Sequence, residues 1–222
     1  METMPSPTNT TPPTPTTPTT HPTSPTASRT TDPRPGLLRA MEIARPVFTG
    51  VANGQRDLPT PCPELDVRAL QEHLVFVLRR IAAVGRGESA FSVEPPTDVH
   101  DDDWTSLWDR EAAAVTEAWN SPAVLDMMMT LPFGTAPGAV VALIYTSELS
   151  VHTWDLAQAT GHVPVWDDEV LASSLAAMQV GLPADRRGEQ VPFDAVVEVA
   201  PDALPIERLV AWTGRQPVPS AR

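Results

Sequence analysis

The amino-acid sequence predicts a mainly α-helical protein, in which a four-helix bundle follows a disordered N-terminal tail and precedes a small α+β extension. Between residues 36 and 161, four segments carry apolar residues at helical spacing. Residues 1–35 are almost wholly Thr, Pro and Ser, a composition that leaves no apolar face to bury and is typical of disordered chain. We therefore divide the chain into a tail (1–35), a bundle (36–161) and an extension (162–222).

The first two helices are predicted from apolar stripes and from the residues that interrupt or cap them. Helix one is expected from about Gly36 to Asn53, and Pro46 inside this pattern predicts a kink or an early end. Helix two is expected to begin after Asp66, which is suited to the N-cap position. Its apolar positions at helical spacing are Val67, Leu70, Leu74, Val77, Leu78 and Ile81.

The third and fourth helices flank a segment that breaks the helical period. Three acidic residues, 101–103, favour the N-terminus of helix three because they complement its positive dipole end. Residues 123–135 contain a Pro–Phe–Gly turn and predict a short strand-like crossover. Helix four is expected over 137–160, with Gly161 as the glycine that ends it.

The extension is predicted to mix helix and strand. A fifth helix is expected over about 167–181, opening on two aspartates. The alternating segment 195–200 predicts a short strand, and a last helix follows at about 205–213. These elements make up the small α+β appendage.

One carboxylate lies in an otherwise apolar segment. From Ala136 to Trp154, Glu148 is the only charged residue apart from His152, four positions later. Residues i and i+4 share one helix face, and this face also carries Tyr145. Burying an ionised carboxylate costs several kcal/mol unless it is compensated. A divalent metal would compensate it, because carboxylate oxygen and imidazole nitrogen are both metal ligands.

Helix two offers a third ligand of the same kind. His73 lies at the edge of the apolar stripe of that helix and is expected to face the same interior. Two histidines and one glutamate leave a coordination position open, which is typical of catalytic zinc. The alternative is that the histidines are hydrogen-bonded core residues and that Glu148 pairs with an arginine such as Arg79 or Arg80.

Charge and cysteine content exclude several classes of protein. A net charge of −13 without a basic patch argues against binding to nucleic acid and to anionic membranes. The apolar run 136–154 is long enough to suggest a membrane span, but its polar residues favour a buried core helix. Cys62 is the single cysteine, so no intramolecular disulfide can form and a cytoplasmic location fits. We expect Cys62 to be a packing residue, although its closeness to His73 leaves a redox role open.

Three phrases of the sequence resemble the mycothiol-dependent maleylpyruvate isomerase family, part of the DNA-damage-inducible (DinB-like) four-helix metalloproteins. They are TPCPELDVRALQEHL at 60–74, LPFGTAPGAV at 131–140 and SELSVHTWDLAQATG at 147–161. The resemblance implies a DinB-like bundle in which His73, Glu148 and His152 bind a divalent metal. Zinc is the leading metal on ligand type, with nickel, iron and manganese open.

The resemblance also implies a reaction. Mycothiol, a low-molecular-weight thiol, would be held at the open metal position as a thiolate and would add to an electrophilic substrate. Asp155 would orient a ligand histidine, or would instead form a cap or salt bridge within the bundle. We expect a monomer or a homodimer whose partners are a small-molecule thiol and an electrophile.

Two departures from the family bear on the reaction. Leu65 stands where the family often has tryptophan, and the chain is too short for the longer C-terminal domain of the isomerases. We therefore favour S-transfer, or another thiol-dependent reaction, over maleylpyruvate isomerisation. The alternatives are a non-catalytic metal-binding bundle that acts as scaffold or sensor, and a metal-dependent hydrolase that uses bound water.

Overall fold

A computed structural model of the protein describes residues 32–132, 134–185, 187 and 193–217. Of the tail predicted over residues 1–35, residues 1–31 lie outside the described part of the chain. The described residues form helices α1 (Arg34–Thr49), α2 (Val67–Gly85), α3 (Trp104–Ala118), α4 (Gly138–Thr160), α5 (Asp168–Gly181) and α6 (Pro205–Trp212). Two strands, β1 (Met128–Leu131) and β2 (Gly134–Pro137), precede α4.

Helices α1 to α4 pack as a bundle, as the sequence predicts. Each of α1 and α2 contacts both α3 and α4, so the four helices enclose one apolar core. Leucine, valine and aromatic side chains from all four helices fill this core, among them Phe48, Leu74, Trp108 and Leu149. The mainly helical fold with a small C-terminal appendage is therefore confirmed.

Helix α4 is buried on two sides, which explains its apolar sequence. One side contributes Val141, Leu149 and Leu156 to the bundle core. The other side contributes Val151 and Trp154 to a second apolar cluster, formed with residues of α5 and α6. A helix with apolar residues on all of its faces is expected to be buried by neighbouring elements on most of them. Among the described residues, no helix combines the length and the apolarity needed to cross a membrane.

Local capping signals are confirmed where they were predicted. The Asp66 carboxylate accepts a hydrogen bond of 2.8 Å from the Ala69 N–H at the start of α2. Gly161 ends α4 in the left-handed conformation, with φ of 76°. Asp167 caps α5 in the same way as Asp66 caps α2.

Helix α1 and the segment before α4 differ in detail from the prediction. Helix α1 begins at Arg34 and ends at Thr49, soon after the interior Pro46, and not at Asn53. The Arg34 guanidinium explains the earlier start, because it donates to the Asn120 carbonyl at 2.7 Å and joins α1 to the end of α3. The strand-like crossover is an antiparallel hairpin, β1–β2, that leads directly into α4.

The strand predicted at 195–200 is wrong. Residues 195–200 have no strand partner among the described residues. The one sheet in the described part of the chain is the β1–β2 hairpin. The Val197 N–H donates instead to the Ala211 carbonyl of α6, at 3.0 Å. An alternating pattern forms a strand only where a neighbouring strand can pair with it, so the described part of the appendage is helical with extended connections.

Gly138, the first residue of α4, tests how closely the short turn before the hairpin, Pro122–Asp126, packs on this helix. A Cβ at this position would overlap the backbone carbonyl oxygen of Val124, which cannot rotate away. We expect Gly138→Ala to lower the free energy of unfolding by about 1–3 kcal/mol. Gly181→Ala is the matched control, because a Cβ there meets open space. Urea unfolding that gave both variants equal stability would contradict the close approach.

Candidate metal centre

The three predicted ligands come together between α2 and α4. His73 projects from α2, while Glu148 and His152 lie one turn apart on α4. His73 Nε2 is 3.3 Å from Glu148 Oε1, and the two imidazole rings are 4.7 Å apart between centroids, at 73°. One potential ligand atom from each residue lies within 4.8 Å of the others. Ligands on one tetrahedral zinc ion are about 3.4 Å apart, so these side chains fit a single ion with small adjustments.

The centre lies at the edge of the core. The side chains of His73 and Glu148 are 28% and 29% exposed, whereas that of His152 is 13% exposed. Glu148, which was predicted to be buried, is therefore half-buried, and the centre is partly accessible to solvent.

The alternative of a Glu148–arginine pair is not found as a direct salt bridge among the described residues, although Arg80 is near enough to lower the pKa of Glu148. Arg79 donates to Glu111 at 3.1 Å, and the Arg80 guanidinium lies over the Phe76 ring, 4.0 Å from its centroid. Neither arginine is within salt-bridge distance of Glu148 in the part of the chain that is described.

A buried ring nitrogen tests whether the site fits a metal. His73 Nε2 is buried, and its partner is Glu148 Oε1 at 3.3 Å, a contact that lacks well-aligned hydrogen-bond geometry. Buried polar atoms are usually satisfied by well-formed hydrogen bonds or by ligation. A cation between His73 and Glu148 would satisfy both atoms, and the donor set of two imidazoles and a carboxylate is one that binds zinc.

The electrostatics of the site favour the ionised form of Glu148 and the neutral form of His152. Burial by itself raises the pKa of Glu148, but His73, His152 and Arg80 outweigh it and the pKa lies below its usual value. Burial lowers the pKa of His152, against the opposing effect of Asp155. Metal ligation requires an ionised carboxylate and a neutral imidazole, and these shifts favour both.

Asp155 contacts His152 and also forms a salt bridge with Arg215. Its Oδ2 is 3.1 Å from His152 Nδ1, which leaves Nε2 of that ring for a metal. The carboxylate is fully buried, and Arg215 donates to both of its oxygens, at 2.8 Å to Oδ1 and 2.7 Å to Oδ2. The contact of Arg215 with Asp155 was not predicted from the sequence. The feature that could have indicated it is Asp155 itself, because a carboxylate within an apolar helix needs a cation nearby.

Cys62 belongs to a second group of potential ligands. Its sulfur, a His152 nitrogen and an Asp155 oxygen also lie within 4.8 Å of one another. The Asp155 carboxylate is already neutralised by Arg215, so this group offers a cation less than the His73 group does. Burial raises the pKa of the Cys62 thiol, with a smaller opposing effect from Arg215, which disfavours the thiolate that binds metals.

Together, the fold and the site define a helical bundle with a candidate His–Glu–His metal centre in the wall of its core. The chain belongs to the family described as the mycothiol maleylpyruvate isomerase N-terminal domain, which matches residues 37–157. This range covers α1 to most of α4 and contains all three candidate ligands. The family resemblance seen in the sequence is thereby confirmed.

Relatives of similar length are found in Mycobacterium tuberculosis. Two uncharacterized proteins, from strains CDC 1551 / Oshkosh and ATCC 25618 / H37Rv, are each 30% identical to the chain over 184 residues. The match covers 83% of this chain and 98% of each relative, so it includes at least part of the C-terminal extension as well as the bundle. No solved structure matches the chain significantly.

The two ligand groups can be separated by substitution. We expect the parent protein to hold about one divalent ion per chain, and His73→Ala, Glu148→Ala and His152→Ala each to reduce that content. Cys62→Ser should retain the ion, because Cys62 does not share a group with His73 or Glu148. Elemental analysis of protein purified without a metal-binding tag measures this. Loss of metal in Cys62→Ser, with retention in His73→Ala, would assign the ion to the other group.

Glu148→Gln tests whether the charge of the carboxylate serves a metal. Glutamine keeps the shape but removes the charge, so chelator should lower the thermal midpoint of the parent much more than that of the variant. Thermal melts of both proteins with and without chelator provide the comparison. If chelator leaves the parent midpoint unchanged, Glu148 does not serve a bound metal.

Proposed function

We propose that the protein binds a divalent metal through His73, Glu148 and His152 and is a mycothiol-dependent enzyme. In this proposal the thiol adds to an electrophilic small molecule. The observation that carries the proposal is the convergence of these three ligands from two helices, with their ligand atoms within 4.8 Å, in a chain of this family. Zinc is the metal that we favour, because two imidazoles and one carboxylate form a common catalytic zinc site; nickel, iron and manganese are the alternatives.

The residues around the centre have distinct roles in this proposal. When bound, a divalent metal with an open position lowers the pKa of a thiol or water that ligates it. Asp155 holds the His152 ring by its Nδ1 atom and so selects the tautomer that presents Nε2. The partial exposure of His73 and Glu148 leaves an approach for a thiol and its electrophile from solvent. Tyr145 is buried beside Glu148, where it packs in the core.

S-transfer is the reaction that we favour within this class. Isomerisation of a doubly acidic substrate needs cations that are free to bind its carboxylates. Of the two described arginines near the centre, Arg215 is bound to Asp155, whereas Arg80 lies over Phe76 with its Nε unpaired, which leaves one cation for two substrate carboxylates. Leu65, half-buried against the bundle core, replaces an aromatic side chain that the resembling family often has there.

The proposal includes the partners and the compartment. A small-molecule thiol and an electrophile are the expected partners, and the acidic charge of −13 disfavours nucleic acid and anionic membranes. A reducing cytoplasm would keep both mycothiol and Cys62 in the thiol state. We expect a monomer or a homodimer.

A thiol-binding assay tests this function. We expect mycothiol to raise the thermal midpoint of the metal-loaded protein, because a ligand of the folded state stabilises it. With cobalt at the centre, the thiol should also produce a thiolate-to-metal charge-transfer band. His73→Ala, which loses a ligand, is the control that should show neither effect. A protein that binds metal but responds to no thiol would instead be a metal-binding scaffold, a sensor or a hydrolase.

A further inference from the structure

We propose that Arg215, in the C-terminal extension, is a positioning residue of the metal centre. By holding Asp155, Arg215 fixes the orientation of His152, and metal affinity thereby becomes coupled to the docking of the C-terminal segment on α4. This inference rests on the proposed function, since it requires His152 to be a metal ligand.

The contact between Arg215 and Asp155 is bidentate and buried. Arg215 Nε donates to Oδ1 at 2.8 Å, and Nη2 donates to Oδ2 at 2.7 Å. The Asp155 side chain is fully buried and that of Arg215 is 13% exposed. A planar guanidinium that binds both oxygens of a carboxylate fixes the plane as well as the position of that carboxylate.

Because the Asp155 carboxylate is fixed, it also restricts the orientation of the His152 ring. The oxygen that accepts from Arg215 Nη2, Oδ2, is also the oxygen 3.1 Å from His152 Nδ1. The imidazole can rotate about its two side-chain bonds unless a partner holds it, and a carboxylate on the non-ligating nitrogen is the usual means of holding a metal-binding histidine. Arg215, Asp155 and His152 therefore form one continuous chain of polar contacts that ends at the proposed metal.

The backbone around Arg215 is held, through α6, on the side of α4 that faces away from the bundle core. Leu209 and Val210 of α6 pack in the apolar cluster that includes Val151 and Trp154 of α4. Gly214, with φ of 90°, turns the chain after α6, and the Arg215 N–H then donates to the Val210 carbonyl at 3.1 Å. Arg215 can thus reach Asp155 only while α6 is docked.

Two consequences follow from this arrangement. Without Arg215, the Asp155 carboxylate would be buried without its cation and would no longer be held in one plane. Because coupling between two equilibria is reciprocal, a metal that is bound more tightly when α6 is docked must also stabilise the docked segment. The C-terminal extension is therefore a part of the metal centre, although it supplies no ligand.

The experiment compares zinc affinity in the full-length parent, Arg215→Gln, Arg215→Lys and Arg208→Gln. Arg208 is the matched control, because it is an exposed arginine of α6 that donates to backbone carbonyls of the preceding loop. Chelator competition should show zinc binding about 10–100-fold weaker in Arg215→Gln. Arg215→Lys should recover part of this loss, and Arg208→Gln should bind like the parent. The d–d spectrum of the cobalt-substituted protein should shift in Arg215→Gln alone.

Hydrogen exchange on the parent keeps the inference testable even if Arg215→Gln folds poorly. Zinc should slow amide exchange in residues 205–215 of the parent relative to the chelated form. Unchanged affinity in Arg215→Gln together with unchanged exchange in this segment would overturn the inference while leaving the proposed function intact. A parent protein that binds no zinc, nickel, iron, manganese or cobalt would overturn both.

Discussion

Helix α4 is buried on two opposite sides, and this burial determines where polar groups can be placed in the structure. The bundle core covers one side and the cluster with α5 and α6 covers the other. A buried polar group on such a helix is costly unless it finds a partner nearby, because water is not available to most of the helix surface. Small hydroxyl residues meet this demand within the helix itself: Thr146, Ser150 and Thr160 donate to the carbonyl four residues earlier.

The two carboxylates of α4 meet the same demand in different ways, and this difference separates their roles. Asp155 is closed in by Arg215 and by His152, so both of its oxygens are already engaged. Glu148 faces His73 without an arginine in salt-bridge distance, at a position that is partly open to solvent. A carboxylate that is ionised, accessible and not neutralised is the one suited to a cation. Asp155 is suited instead to orienting a neighbouring imidazole.

The C-terminal appendage completes the burial of α4. Helices α5 and α6 cover the apolar side of α4 that the bundle leaves free, and α6 brings Arg215 to the buried Asp155. The family match covers most of the bundle, whereas the match to the mycobacterial relatives includes at least part of the extension. Bundle and extension therefore share one helix, α4, that carries two of the three candidate ligands.

Features that depend on neighbours along the chain could be predicted from the amino-acid sequence. The helix positions, the caps at Asp66 and Asp167 and the glycine end of α4 follow from periodicity and local hydrogen bonding, which act over a few residues. That His73, Glu148 and His152 lie close together could also be predicted, because Glu148 and His152 are one turn apart and His73 lies at the edge of an apolar stripe. The partners of the charged groups, and the absence of a strand at 195–200, could not be predicted in this way. Arg215 reaches Asp155 across 60 positions, and a strand needs a second strand, so both outcomes depend on how separate elements pack.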